Sequence, residues 1–206
     1  MRAAVDRGLT HLAITDHDRI DAALGARDAA PAGLTIIVGQ EVRTTTGDLI
    51  GLFLEKPIPT GMAPADAARA IKDQGGLVGL AHPFDRFRAG AGRQGWETEL
   101  ALLLPHLDYV EAWNARLMIG DGNYRAAEFA HAQQLPGVAV SDAHTVLEVG
   151  VAYTVVRGKL DTAEQLRAAL EDVDLVTAHG SRFVRAAMPF TKLIQRLRGN
   201  RRAQPV

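Results

Sequence analysis

Apolar runs of strand length alternate with helix-patterned segments along almost the whole chain. A short helical pattern at 1–8 is followed by an apolar run at 11–16, an Ala-rich helix at 19–29 and a second run at 34–40. Thr44-Thr-Thr-Gly-Asp48 is turn chemistry between two apolar strands, so 38–54 reads as a hairpin inserted in the alternation. A helix over 65–73 stops at Gly75-Gly76, the glycines expected beyond a helix C-terminus. Strands at 77–81, 109–113 and 138–140 then alternate with helices at 96–104 and 123–133. A strand at 152–156, a helix at 161–171, a strand at 174–178 and a final basic helix complete the pattern. Such alternation predicts parallel strands with crossover helices, hence an α/β barrel or open sheet. A barrel fits better, because polar residues stand at the ends of many successive strands. A βα barrel should open on a strand, yet the first helix here has none before it.

Composition narrows this little, but charge distribution adds something. The 206 residues, 47% hydrophobic, suit one α/β domain with a net charge of -1. Seven basic residues and no acidic ones lie between Arg182 and the C-terminus, which leaves 1–181 at −8. The expected division is one domain over 1–181 and a basic helix or tail over 182–206. An acidic body can gather cations while a basic tail steers a polyanion. The chain has no cysteine, which excludes disulfides and thiolate metal sites. With no apolar run of about 18 residues and no signal peptide, a cytoplasmic protein is the default expectation.

The candidate chemistry lies where the apolar runs end. His17 follows Leu-Ala-Ile-Thr-Asp16, Glu41 follows Ile-Ile-Val-Gly-Gln, His82 follows Leu-Val-Gly-Leu-Ala, and Asp142 and His144 follow Val-Ala-Val-Ser. The strand C-termini of a parallel α/β protein converge on one rim, where imidazole and carboxylate together suit zinc, manganese or iron better than magnesium. Asp142 and His144, two apart on a strand, would share a face. Pro83 should hold His82 extended and its ring on the rim. Against this, Asp16 or Asp18 can cap a helix, His82 can be a satisfied core histidine, and Glu41 can face water on an edge strand. Trp113 reads as core, whereas Asn114 could touch a metal-bound ligand and Arg116 could clamp a phosphate. Arg86, Arg88 and Arg93 fall in a Gly/Arg loop of lid-like composition, and His179 is a weaker candidate behind the last strand.

Five motifs in this order carry a family resemblance: Ala-Ile-Thr-Asp-His-Asp (13–18), Gly-Gln-Glu (39–41), Gly-Gly-Leu-Val…Ala-His-Pro (75–83), Tyr-Val-Glu…Trp-Asn-Ala-Arg (109–116) and Ser-Asp-Ala-His (141–144). Together they resemble the polymerase and histidinol phosphatase (PHP) family of metal-dependent phosphoesterases, over about residues 1–156. The resemblance implies a distorted (β/α)7 TIM-like barrel with two or three divalent ions (Mn, Zn or Fe) at its C-terminal rim. It implies a metal set of Asp16, His17, Glu41, His82, Asp142 and His144. In that set His17 and His144 would share one ion, Glu41 would bridge two others, His82 would bind one of that pair and Asp142 the other. Asp142 and His144 would also be catalytic, with Asn114 and Arg116 binding substrate. The implied activity is hydrolysis of phosphate esters of nucleotides or short oligonucleotides by a metal-bound hydroxide. The alternatives are a small-metabolite phosphatase of the histidinol-phosphate type and a catalytically silent metal-binding or scaffold domain. The family also has a first strand ending in Asp-x-His-x-His, which nothing here matches, so the expected fold lacks its first strand.

Overall fold

A computed structural model describes residues 1–85 and 96–180. The loop with Arg86, Arg88 and Arg93 and the basic segment 182–206 lie outside the described residues. The first half of the chain forms α1 (Arg2–Asp6), β1 (His11–Ile14), α2 (Asp21–Asp28), β2 (Thr35–Arg43), β3 (Asp48–Leu52), α3 (Pro64–Lys72) and β4 (Leu77–Leu80). The second half adds α4 (Trp96–Leu103), β5 (Tyr109–Asn114), α5 (Gly122–Ala132), β6 (Gly137–Val140), β7 (Tyr153–Val156), α6 (Ala163–Ala169) and β8 (Val173–Val176). Between α4 and β5, Leu104–His106 forms a one-turn 3-10 helix.

Strands β1 to β6 form one curled sheet in sequence order. The pairs β1–β2, β4–β5 and β5–β6 are parallel, while β3 runs antiparallel to both β2 and β4. The inserted hairpin is therefore real, and its return strand lies in the middle of the sheet. Five strands thus end on one rim, and β3 starts there. This is the geometric reason Asp48, at the first position of β3, shares that rim with Glu41 near the end of β2.

The last βαβ unit departs from the expected parallel alternation: β7 and β8 pair antiparallel in a separate two-stranded sheet. Hydrophobic alternation carries a strand's period but not its direction, so the sequence pattern is the same either way.

Two apolar cores sandwich the main sheet. On one face Val38, Val42, Leu49, Val78 and Val110 meet Ile20 and Ala23 of the α2 region, and Ala67, Ala68 and Ile71 of α3. On the other, Ile37, Ile50, Leu77, Tyr109 and Val138 meet Leu160, Ala163, Leu166 and Leu170 around α6. Neighbours such as Ile37 and Val38 split between the faces, as strand periodicity requires. Burial on both faces also explains why β2 carries the unbroken apolar stretch Ile36–Gly39 rather than a strict alternation.

Helix α3 begins with Pro64 at its first turn, carries Asp66 there, and ends with Arg69 and Lys72 in its last turn. Beyond it Gly75, at φ 75°, turns the chain back into β4. Gly79 is required for a different reason. It pairs with Tyr109 across β4–β5, and a Cβ there would lie 2.2 Å from the tyrosine ring. Tyr109 is buried and cannot swing away. Gly79→Ala is therefore expected to cost about 3 kcal/mol of stability. The denaturant midpoint measures it, and an unchanged midpoint would contradict this packing.

Candidate metal centre

The rim gathers its polar groups in two clusters joined by a buried carboxyl. In the first, Glu41 and His82 are both buried, with Glu41 Oε1 3.1 Å from His82 Nε2. Glu41, Asp48 and His82 each place one ligand atom within 4.8 Å of the others. His17 stands beside them, its Nε2 3.6 Å from Glu41 Oε2. The backbone explains that placement: β1 is extended past its end by a parallel bridge between His17 and Glu41, closed by Asp18 N–H to Glu41 O and Glu41 N–H to Asp16 O. Asp16 itself is exposed, and among the described residues its carboxylate is outside this group.

The capping role open to Asp18 is not what the structure shows. The N-cap of helix α2 is Ile20, and no side chain caps it. Asp18 instead accepts the Arg43 N–H at 3.1 Å and pairs with the Arg43 guanidinium, which ties the β1 extension to the hairpin.

His82 also corrects an expectation. Its φ is 26°, left-handed rather than the extended conformation that Pro83 favours. Tertiary bonds account for the difference. The His82 N–H donates to Glu111 Oε2 at 3.0 Å while its ring faces Glu41. Such a backbone costs of order 1–3 kcal/mol and persists where its surroundings over-determine it.

The second cluster follows β6. Asp142 and His144 lie beyond the strand, which ends at Val140, so a shared strand face is not what unites them. Asp142 sits at φ 45°, and the turn brings His144 Nδ1 to 3.0 Å from the Asp142 carbonyl and 3.4 Å from its Oδ1. Asn114 is buried at the end of β5 and donates from Nδ2 to both Asp142 Oδ2 and Glu111 Oε2, at 3.2 Å each. Asn123 of α5 holds Asn114 in turn, accepting its N–H at 2.9 Å and donating to its carbonyl at 3.1 Å. Arg116 places Nε 3.7 Å from Asp142 Oδ2 and Nη1 3.7 Å from Glu148 Oε1.

Glu111 connects the clusters. Burial foremost, opposed by His82 and reinforced by Asp142 and Glu41, pushes its carboxyl up to about 7. A carboxyl so placed holds the His82 backbone and Asn114 rather than facing solvent.

Asp48, Glu111, Asn123 and Glu148 escaped the sequence reading as individual site residues. Glu111 had a usable signal, a carboxylate in the middle of the apolar strand 109–114. Asp48 read as a turn residue, because the rim position of β3 follows only from its pairing. Trp113, expected in the core, is half-buried; its Nε1–H donates to Ala178 O at 3.0 Å and its ring lies 4.8 Å from that of exposed His179.

Comparisons with known proteins agree with the resemblance carried by the motifs. A family model described as PHP-associated matches residues 120–173. An uncharacterized protein of Methanocaldococcus jannaschii is 33% identical over 116 residues, covering 56% of this chain and 64% of that protein. A two-domain protein of Bacteroides vulgatus containing a predicted PHP-like metal-dependent phosphoesterase superposes with a TM-score of 0.70 at 20% identity, covering 86% of this chain and 59% of that one. The lesion-specific endonuclease EndoQ of Pyrococcus furiosus superposes with a TM-score of 0.57 at 15% identity, over 84% of this chain and 51% of that one. An Endonuclease Q complex, at TM-score 0.52 and 14% identity over 82% of this chain and 50% of that one, holds a 27-mer duplex with an abasic lesion at its active site. The chain thus spans less than two thirds of the length of each of these proteins.

Proposed function

We propose that this chain, which has the fold of PHP-like metal-dependent phosphoesterases and carries a PHP-associated segment, hydrolyses phosphate esters of nucleotides or short oligonucleotides. The observation that carries the reading is the convergence of Glu41, Asp48 and His82 on the strand-end rim. Imidazole nitrogen and carboxylate oxygens, two of the residues buried and facing each other, are a donor set that fits Mn, Fe or Zn. Bound divalent ions would activate water and neutralise charge on the phosphoryl oxygens.

The remaining roles belong to side chains. Glu41, Asp48 and His82 would hold one ion, with His17 beside Glu41 on the β1 extension. Asp142 and His144 supply a second position, with Asp16 the outermost candidate of the set. Asn114 orients Asp142, and Arg116 faces the phosphate beside it. His144 reaches solvent and completes this second position. In this reading the curled sheet belongs to a seven-unit barrel, and the basic residues of 182–206 draw a polyanion towards its rim. The bound duplex of Endonuclease Q supports a nucleic-acid substrate for this fold. No helix of the described residues is long and apolar enough to cross a membrane; a cytoplasmic location is proposed with the activity.

Turnover by Mn-loaded protein of a 5′-phosphorylated oligonucleotide series and of histidinol phosphate tests the substrate class. Faster cleavage of the oligonucleotides is expected. Preference for histidinol phosphate would move the activity to a small-metabolite phosphatase, and metal binding without any turnover would leave a scaffold domain.

A further inference from the structure

Glu148 is a buried carboxylate that the roles above do not use. It lies in the loop after β6, is 2% exposed, and follows Asp142 and His144 in the chain. Its Oε2 accepts the His144 N–H at 3.0 Å and the Thr145 hydroxyl at 3.1 Å. Its Oε1 is buried with no hydrogen-bond partner and faces Arg116 Nη1 at 3.7 Å. The chain returning from β8 closes over it. The Gly180 N–H donates to Ala115 O at 3.0 Å, and a side chain at Gly180 would begin 3.9 Å from Glu148 Oε1. Taking a carboxylate out of water costs several kcal/mol unless a cation offsets it. Among the described residues, the cation that faces this one is Arg116.

We propose that Glu148 is a positioning residue that holds the Arg116 guanidinium for a substrate phosphate. Beside Asp142 alone, an arginine would settle into a bidentate pair with that carboxylate. The pair would take Asp142 from its ion and the N–H fork from the phosphate. Glu148 faces a different nitrogen of the same guanidinium, and Arg116 stands 3.7 Å from each carboxylate. Through Oε2 it also accepts the His144 N–H, so one side chain meets both the arginine and the backbone of the histidine. The inference rests on the phosphoesterase reading, since it assigns Arg116 a phosphate.

Equilibrium binding of inorganic phosphate to the Mn-loaded full chain tests it without relying on turnover. Glu148→Gln keeps an acceptor for His144 and Thr145 but removes the charge facing Arg116. It should weaken phosphate binding about tenfold, and Glu148→Asp should recover most of that loss. Arg116→Ala should also weaken binding, and adding Glu148→Gln to it should weaken it no further. Binding by Glu148→Gln within twofold of wild type, or additive losses in the double variant, would overturn the proposal. Thermal melting covers the case in which Glu148→Gln alone folds poorly. Arg116→Ala strands a buried charge and should melt below wild type, while the double variant should melt above Arg116→Ala. A double variant less stable than Arg116→Ala would make Glu148 a loop staple and nothing more. Wild-type protein that neither binds phosphate nor hydrolyses any ester would instead remove the phosphoesterase reading, and the proposal with it.

Discussion

Replacing Asp142 by alanine is expected to cut phosphoester hydrolysis by about a thousandfold or more, roughly 4 kcal/mol of transition-state stabilisation. The fold should survive. Asp142 lies on the rim past the end of β6, outside both apolar cores. Its carboxylate meets Asn114, Arg116 and His144, all at the proposed reaction centre. The variant has one structural cost, because φ 45° suits aspartate better than alanine. Asp142→Asn is the control: asparagine tolerates that backbone and can still accept from Asn114, but loses the charge that holds an ion. Both variants should lose activity, with Asn melting closer to wild type. Turnover and thermal melting measure the two effects, and turnover within threefold of wild type would remove Asp142 from the chemistry.

The second large effect is expected at Glu41. Glu41→Gln keeps shape and hydrogen-bonding capacity but removes the charge at the meeting point of His17, Asp48 and His82. Metal affinity should fall at least about a hundredfold, with loss of one or more ions on dialysis. Glu41 also sits in the long buried run of β2, between Gln40 and Val42. A truncation to alanine would therefore mix metal loss with a void and an unpaired His82 nitrogen. Gln avoids that ambiguity. Metal retained at the wild-type ratio after dialysis would show that Glu41 is not a ligand.

Much of this is legible in the amino-acid sequence. The strands end close to where the apolar runs end, and His17, Glu41, His82, Asp142 and Asn114 stand within three residues of those ends. The hairpin at 38–54 was legible from its turn residues. Strand direction was not, and two consequences followed. The antiparallel course of β3 brings Asp48 to the rim, where sequence showed only a turn. The antiparallel pairing of β7 and β8 lies hidden behind an ordinary βαβ pattern. Local rules also yielded to tertiary contacts at the site itself. Pro83 argues for an extended His82, but bonds to Glu111 and Glu41 hold it left-handed. Asp142 and His144 meet through a turn rather than a strand face. Glu111 and Glu148 read as ordinary acidic residues, since burial of a single carboxylate depends on which distant segments cover it.

The central claim is that the rim of this sheet is a metal centre. Elemental analysis of the purified full chain, after dialysis against buffer free of metal and chelator, tests it most directly. At least one Mn, Fe or Zn per chain is expected, and a lower ratio in Glu41→Gln. A folded wild-type protein that holds no metal, and takes up none when Mn or Zn is added back, would contradict it.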